Sequence, residues 1–315
     1  MKSISTRLYS QLDFTTWNHF IDSSLNGTFL FNRNFLDYHK NRFQDFSLMV
    51  FEGDELISCV PGSSEDDSWF SHKGLTYGGI IIDRSLNVIE LGNIVESISE
   101  YLQINGFRNA SFKLVPSIFR KDEIEKELFS LLTNNFSLIG FDLWQYSNLL
   151  FPMDSKKIRG ANTALKRNYN IEFTRSNISD LFRIINENLE IKYSRKAVHS
   201  HQEMNYLLNL FPENIFIMLI LKNKTVEGGA VCFKTNKVIH VQYLATTAQA
   251  KLDRAQDLLM LELRDFAQKY DLILSLGSST ENLGKVVNQG LIKFKDAYCE
   301  STCIGFHLSK EFPIV

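Results

Sequence analysis

The chain has 315 residues, 44% hydrophobic and 22% charged, with 34 Lys and Arg against 36 Asp and Glu. That is room for about two domains, with a core that needs no disulfide or metal. A net charge of -2 excludes capture of nucleic acid by bulk positive charge, and 12% aromatic content excludes disorder as the main state. The longest apolar run, 215–221, falls far short of the roughly 20 residues of a membrane helix. Residues 1–10 show no apolar secretory segment. Cys59, Cys232, Cys299 and Cys303 have no metal-binding spacing and read as buried free thiols of a cytoplasmic protein.

The pattern predicts helices over 13–23 and 34–42, then strands over 47–51 and 55–60 joined at Gly53. A strand at 69–73 enters the glycine-rich segment Gly74-Leu75-Thr76-Tyr77-Gly78-Gly79, and 80–82 is extended. A helical stripe over 88–102 stops at Asn105-Gly106, and a strand at 110–115 stops at Pro116. A helix over 123–132 and a strand over 143–149 complete the first half. The second half repeats that order. Helices are predicted at 177–193 and 201–210, and strands at 215–221, 229–235 and 238–245. A strong helix over 254–270 carries Ala255, Leu259, Leu263, Phe266 and Tyr270 on one face. A strand at 272–277, a helix at 283–293 and a strand at 299–308 follow. The two strand pairs recur roughly 170 residues apart, which predicts a duplicated domain. The boundary falls near Pro152, giving domains 1–152 and 153–315. A tandem pair supplies its own two-domain cleft, so a monomer is expected.

Four stretches carry candidate chemistry. In the strand at 238–245, period 2 places His240 and Gln242 on one face. They are either a satisfied structural pair or a polar strip lining a substrate cleft. The junction Thr246-Thr247-Ala248-Gln249-Ala250-Lys251-Leu252-Asp253-Arg254-Ala255 sets two cations at a helix N-terminus, which suits a pyrophosphate. It has no glycine to let the backbone close around phosphates, which makes the anion signal weak, and its other reading is an ordinary strand–helix loop. Ser278-Ser279-Thr280-Glu281-Asn282 stands at the carboxyl end of a strand, where α/β sheets bind ligands. Alternatively, Ser279 or Thr280 caps a helix. Around His72 and Lys73, glycines either admit a ligand to the backbone or form a structural turn. His199 and His201 have no further ligands at metal spacing, so no metal is expected. The basic stretch 156–167 is a helix face, either solvated or meeting an anionic substrate.

The meander, the strand His240 to Ala245, the cationic loop and the helix–strand–helix that follow resemble the acyl-CoA-binding core of the GNAT acyltransferases. Used twice, that core resembles the FemABX-like tandem-GNAT group. The matching motifs are Gly74-Leu75-Thr76-Tyr77-Gly78-Gly79, Gln242-Tyr243-Leu244-Ala245-Thr246, and Ser279-Thr280-Glu281-Asn282 with Asn288-Gln289-Gly290-Leu291-Ile292. Gly27-Thr28-Phe29-Leu30 through Asp37-Tyr38-His39 also fits. Within the group the chain is similar to bacterial nucleotide-sugar N-acyltransferases of the FdhC type.

This resemblance implies an α/β (α+β) fold of two tandem GNAT-like domains, each a mixed, mostly antiparallel sheet flanked by helices. It implies transfer of an acyl group, hydroxybutanoyl in that type, from acyl-CoA to the amine of a nucleotide-linked amino sugar. The sugar would be a dTDP-linked amino-dideoxyhexose serving surface-polysaccharide and O-antigen synthesis. The N-terminal domain would be degenerate and face the substrate. Leu244 and Ala245 would align the acyl arm, and Gln249, Lys251, Leu252, Asp253, Arg254 and Ala255 would hold the rest of CoA. His240 is the first candidate base, since an unperturbed imidazole titrates near pH ~6.5, and Glu281 is the second. Tyr243 or Ser279 would protonate the leaving thiolate. His72, Tyr77, Gln242, Asn282 and Lys166 would touch the nucleotide sugar.

One departure stands out. The GNAT phosphate loop usually reads Gln/Arg-x-x-Gly-x-Gly/Ala, whereas Gln249 is followed here by Leu252 and Arg254. Two other readings compete. One is an aminoacyl-tRNA-dependent transferase acting on a cell-wall precursor; the other is a non-catalytic binding module.

Overall fold

The computed structural model describes residues 3–175 and 178–313. The chain forms two compact units. Unit 1 takes the chain up to Leu143, Thr280–Val287 and the segment from Cys303; unit 2 takes Trp144–Ser279 and Asn288–Thr302.

Unit 1 opens with β1 (Ile4–Leu8), α1 (Phe14–Ser23) and α2 (Arg33–Asp37). The helix expected over 34–42 is this single short turn of chain. Its first residue, Arg33, is buried and tied to Asp37 and Asp45. Next come β2 (Gln44–Asp45), the hairpin β3 (Leu48–Glu52) and β4 (Glu55–Val60), β5 (Ser63–Glu65) and β6 (Ser68–Phe70). Gly53 turns the hairpin at φ +63°. Then follow α3 (Val88–Ile104), β7 (Asn109–Lys113), α4 (Ile124–Thr133) and β8 (Ser137–Ser147), which runs on into unit 2. Asn87 caps α3 by accepting from the amides of Ile89 and Glu90, while Glu90 reaches back to the Asn87 amide. The apolar stripe of α3, Leu91, Ile94, Val95, Ile98 and Leu102, packs into a core with Trp69, Phe112 and Phe136. Burying each such aliphatic side chain contributes about 1.5–3 kcal/mol.

Unit 2 contains α5 (Ser155–Lys166), β9 (Tyr169–Thr174), α6 (Ser179–Tyr193) and α7 (His201–Leu210). Asn177, the expected start of α6, lies outside the described residues. The meander β10 (Ile215–Lys222), β11 (Thr225–Lys234) and β12 (Val238–Thr246) leads to α8 (Ala248–Leu252), α9 (Ala255–Lys269) and β13 (Ile273–Ser278). The small hairpin β14 (Thr280–Glu281) and β15 (Val286–Val287) belongs to unit 1. A helix was expected over 283–293. Instead Asn282, Leu283 and Gly284 take positive φ, which closes the hairpin and delays α10 (Gln289–Asp296). β16 (Ser301–Glu311) ends the chain in unit 1. Leu258, Leu259, Leu263 and Ala267 of α9 pack with Ala161 and Ala164 of α5 and with Ile239 and Leu274 of the sheet.

In unit 1, β1-β3-β4 form an antiparallel sheet, and a second sheet runs β2-β5-β6-β7-β16. β6 and β7 are parallel, and β16 is antiparallel to β7. In unit 2 the order is β8-β13-β12-β11-β10-β9. There β12 and β13 are parallel, and β8 is antiparallel to β13. Unit 1 thus has an antiparallel sheet and a mixed one, and unit 2 a mixed, mostly antiparallel sheet, each with helices. Each also includes a strand from the other half of the sequence. No helix among the described residues is long and apolar enough to cross a membrane.

Candidate functional site

In unit 2, β12 and β13 pair over Val238–Ile273, Ile239–Leu274 and His240–Ser275. Beyond that point they part. β12 keeps to β11, where a bulge leaves Gln242 without an opposite residue. β13 turns to β8, with its own irregularity at Leu276. Gly277 takes φ +74°, and a Cβ there would stand 2.9 Å from Cε1 of His240. The absent side chain thus brings the backbone against the imidazole. The divergence opens a cavity of about 300 Å³ lined by His240, Gln242, Leu244, Gly277, Ser278 and Lys295, among others.

Lys295, from α10, is buried, and its Nζ donates to the carbonyls of Gly277 at 3.0 Å and Ser278 at 2.5 Å. An ammonium has three protons, so one remains for a ligand. Burial pushes its pKa down to about 8. His240 is also buried, with Nδ1 3.4 Å from Oγ of Ser275. Burial, with the nearby Lys295 charge, pushes its pKa down to about 3. The imidazole is therefore neutral at pH 7. Burial thus makes it a weaker base than an imidazole in an open cleft. The Oε1 of Gln242 is buried without a hydrogen-bond partner. A lone buried acceptor in a polar cavity is one that a ligand can satisfy.

The other expected residues are dispersed. Tyr243 is not among the cavity's lining residues; its hydroxyl is 2.7 Å from Nδ1 of His199 and its ring lies against Phe182. Ser279 is buried and donates to Oε1 of Gln145 at 2.7 Å. Gln145 in turn donates to Asp296 at 2.6 Å, which anchors α10. Glu281 and Asn282 are exposed in the unit 1 hairpin, and Lys166 is exposed in the last turn of α5. Tyr77 is a core residue of unit 1, with its hydroxyl 3.3 Å from Thr28 and its ring against Phe31 and Phe119. His72 lines a separate cavity of unit 1. Sequence reasoning missed Lys295 and Gly277. Lys295 lies past the predicted helix end at 293, and Gly277 was read only as a strand end.

The junction from β12 to α9 is closed on itself. Thr247 caps α8 by accepting from the Ala250 amide. The amides of Lys251, Asp253, Arg254 and Asp257 bond to carbonyls within the same segment. Lys251 and Leu252 are exposed, and Ala245 and Ala255 are buried. Asp253 holds Arg167, Tyr169 at 2.9 Å and Lys222 at 3.3 Å. Hydrogen bonds from Gln249, Tyr169 and Lys222 hold its pKa down at about 2. Arg254, at φ +66°, pairs with Asp257 at 2.5 Å. Gly160 of α5 faces that carboxylate, where a Cβ would stand 2.0 Å from its Oδ2. A pyrophosphate at this helix end would meet two buried carboxylates.

A splayed parallel pair flanked by antiparallel strands, present once in each unit, is the architecture of a tandem GNAT fold. The chain is similar to the crystal structure of FemX, with a TM-score of 0.68 at 10% identity over 98% of this chain and 97% of that one. It is also similar to a tandem GNAT protein from the clavulanic acid biosynthesis pathway, with a TM-score of 0.53 at 9% identity over 99% and 100% of the two chains. L-PGS from Bacillus licheniformis matches with a TM-score of 0.57 at 10% identity over 84% and 83%. At these identities the likeness is one of fold. No family model and no curated protein sequence matches the chain.

Proposed function

We propose that the chain is an N-acyltransferase that moves an acyl group from an activated carboxyl donor to an amine, with the reacting carbonyl in the unit 2 splay. The observation that carries this reading is a cavity between diverging parallel strands with a buried ammonium on it. As the amine attacks, the carbonyl oxygen becomes negative. The Lys295 proton left free by Gly277 and Ser278 is placed to meet that charge, an interaction worth a few kcal/mol in such sites. The buried Oε1 of Gln242 accepts an N–H of the incoming amine. The new ammonium then loses a proton to solvent or to the departing group, and that group leaves protonated.

The donor of the first reading is acyl-CoA and the acceptor is a nucleotide-linked amino sugar, as the sequence resemblance implies. One observation favours the second reading, an aminoacyl-tRNA donor. The α9 N-terminus is filled by Asp253 and Asp257, which oppose the pyrophosphate of CoA. Ligand-induced stabilisation separates the two. Saturation with CoA at about 100 times its Kd adds roughly 2.7 kcal/mol, and a thiol-release assay over acyl-CoAs and amino sugars then reports turnover. Stabilisation by aminoacyl-tRNA alone selects the second donor. Failure of both donors to stabilise or react refutes acyl transfer.

A further inference from the structure

Unit 1 repeats the splay of unit 2. β6 and β7 pair over Ser68–Asn109, Trp69–Ala110 and Phe70–Ser111, then part. β16 flanks β7 as β8 flanks β13. The divergence holds a cavity of about 330 Å³, with Phe70, Leu75, Ile139 and Leu283 among its apolar walls. Its polar side comes from one face of the β7–β16 ladder, where Lys113 stands opposite His307 and Ser111 opposite Ser309. Ala110 and Leu308, on the alternate face, are buried in the core, and Phe112 lies between that core and the cavity.

The charged groups there are incompletely used. Asp142 has Oδ2 2.8 Å from Nε2 of His307 and accepts from Thr280 Oγ1 at 3.0 Å. Lys113 Nζ stands 3.7 Å from the same Oδ2, too far for a good hydrogen bond. Burial pushes the Asp142 carboxyl up, but His307 and Lys113 outweigh it, so the group stays ionised. Both of its oxygens are engaged, which leaves little for a cation. His72 sits at φ +65°, a conformation that costs a non-glycine residue energy, and its Nδ1 is buried with no hydrogen-bond partner. Burial, with His39 close by, keeps that imidazole neutral. A loosely paired ammonium, a carboxylate-anchored imidazole and an unpaired buried imidazole thus share one apolar-walled cavity.

We propose that this cleft is a second ligand site, taking a small molecule that joins an apolar ring to a carboxylate or phosphate. Lys113 holds the oxyanion, with the imidazole of His307, anchored by Asp142, beside it. The ring lies against Phe70, Leu75 and Leu283. This site is separate from acyl transfer in unit 2, and its test needs no turnover.

Calorimetric titration of the full chain with phenyl phosphate, benzoate and benzyl alcohol decides the matter. At least one anion binds saturably, ten-fold or more tighter than the alcohol, and whichever anion is preferred identifies the oxyanion. Lys113→Met weakens that anion at least ten-fold, and Lys113→Arg keeps most of the affinity. Leu283→Trp, which fills the cavity without changing charge, also abolishes binding, and Lys295→Met in unit 2 leaves it unchanged. Unfolding curves confirm that each variant is folded. No saturable binding of either anion overturns the proposal. So does equal binding of benzyl alcohol, an unchanged Lys113→Met, or loss of binding in Lys295→Met.

Discussion

Replacing Lys295 by Met separates the stability of unit 2 from its chemistry. Holding this ammonium at about 8 instead of its ordinary 10.5 means that folding disfavours the charge by about 3 kcal/mol, at 1.36 kcal/mol per pH unit. Met has a similar length and no charge to desolvate. It forfeits the bonds to the Gly277 and Ser278 carbonyls, each worth about 1 kcal/mol net. At pH 7 the variant should therefore match or slightly exceed the wild type in stability. The sign of the pH effect follows from proton counts. Below pH 8 both folded and unfolded wild type keep the lysine proton, and the full cost stands. Between pH 8 and 10.5 the unfolded chain keeps a proton that the folded chain has released, so wild-type stability gains from this residue as pH rises. Urea unfolding of both proteins at pH 7 and pH 10 should show the wild type gaining about 2–3 kcal/mol relative to Lys295→Met. Acyl transfer by the variant should fall roughly 100-fold or more, the usual loss for an oxyanion donor. A stability difference that does not change with pH, or unimpaired transfer, would refute the placing of a buried ammonium at the reacting oxygen.

Four further outcomes follow from the same geometry. His240→Gln should retain transfer within about ten-fold of wild type, and the His240 ring should show no NMR titration between pH 5 and 8. An inflection near pH 6.5 that vanishes in the variant would restore it as the base. Gly277→Ala should destabilise unit 2 by about 1–3 kcal/mol through its φ of +74° and displace His240; wild-type thermal unfolding and activity would contradict the close approach. Arg120→Ala should cost about 3–5 kcal/mol, because it leaves the buried Glu127 carboxylate, which accepts from the Ile80 amide, without its guanidinium. Denaturant unfolding compared with Arg120→Ala/Glu127→Gln checks this, since the double variant should recover much of the loss. The stability held by Asp253 is present above its unfolded pKa of 3.8 and is lost as pH falls towards about 2. Asp253→Asn should therefore lose that increment at neutral pH and converge with wild type in acid, as acid-unfolding curves will show.

The periodic elements were legible in the sequence because one physical rule dominated each. β10, β12, α3, α7 and α9 fall within a residue or two of their predicted spans, since each has a continuous apolar face and a clear stop. β1 and β9 were not legible. Ile4-Ser5-Thr6-Arg7-Leu8 and Tyr169-Asn170-Ile171-Glu172-Phe173-Thr174 are edge strands with several exposed positions, so their alternation is mostly polar. Pairing partners far along the chain define them, and local pattern cannot see those partners. The segment 283–288 misled for the opposite reason. Its apolar residues suggest a helix, but three consecutive positive φ values make a hairpin there. Within the site, the polar face of β12 was visible through His240 and Gln242. The bulge at Gln242 and the inward turn of Lys295 were not, because both arise from strand divergence and helix placement, not from composition.

The net charge of -2 requires that any anion be held locally, and the two clefts and the α9 N-terminus differ sharply in how they could do so. At α9 the glycine-free loop has become a capped turn, α8, and Arg254 is spent on Asp257. Asp253 and Asp257 supply the negative charge that this helix end attracts. The segment is engaged with itself: the amides of Lys251, Asp253, Arg254 and Asp257 bond to its own carbonyls, and Arg254 pairs with Asp257. A pyrophosphate held here would rely on exposed cations such as Lys251, and its affinity would fall steeply with salt. The splay of unit 2 needs no such loop. Its ammonium is fixed by two carbonyls at the point where the strands part, which on the proposed reading sets it beside the reacting carbonyl of either donor.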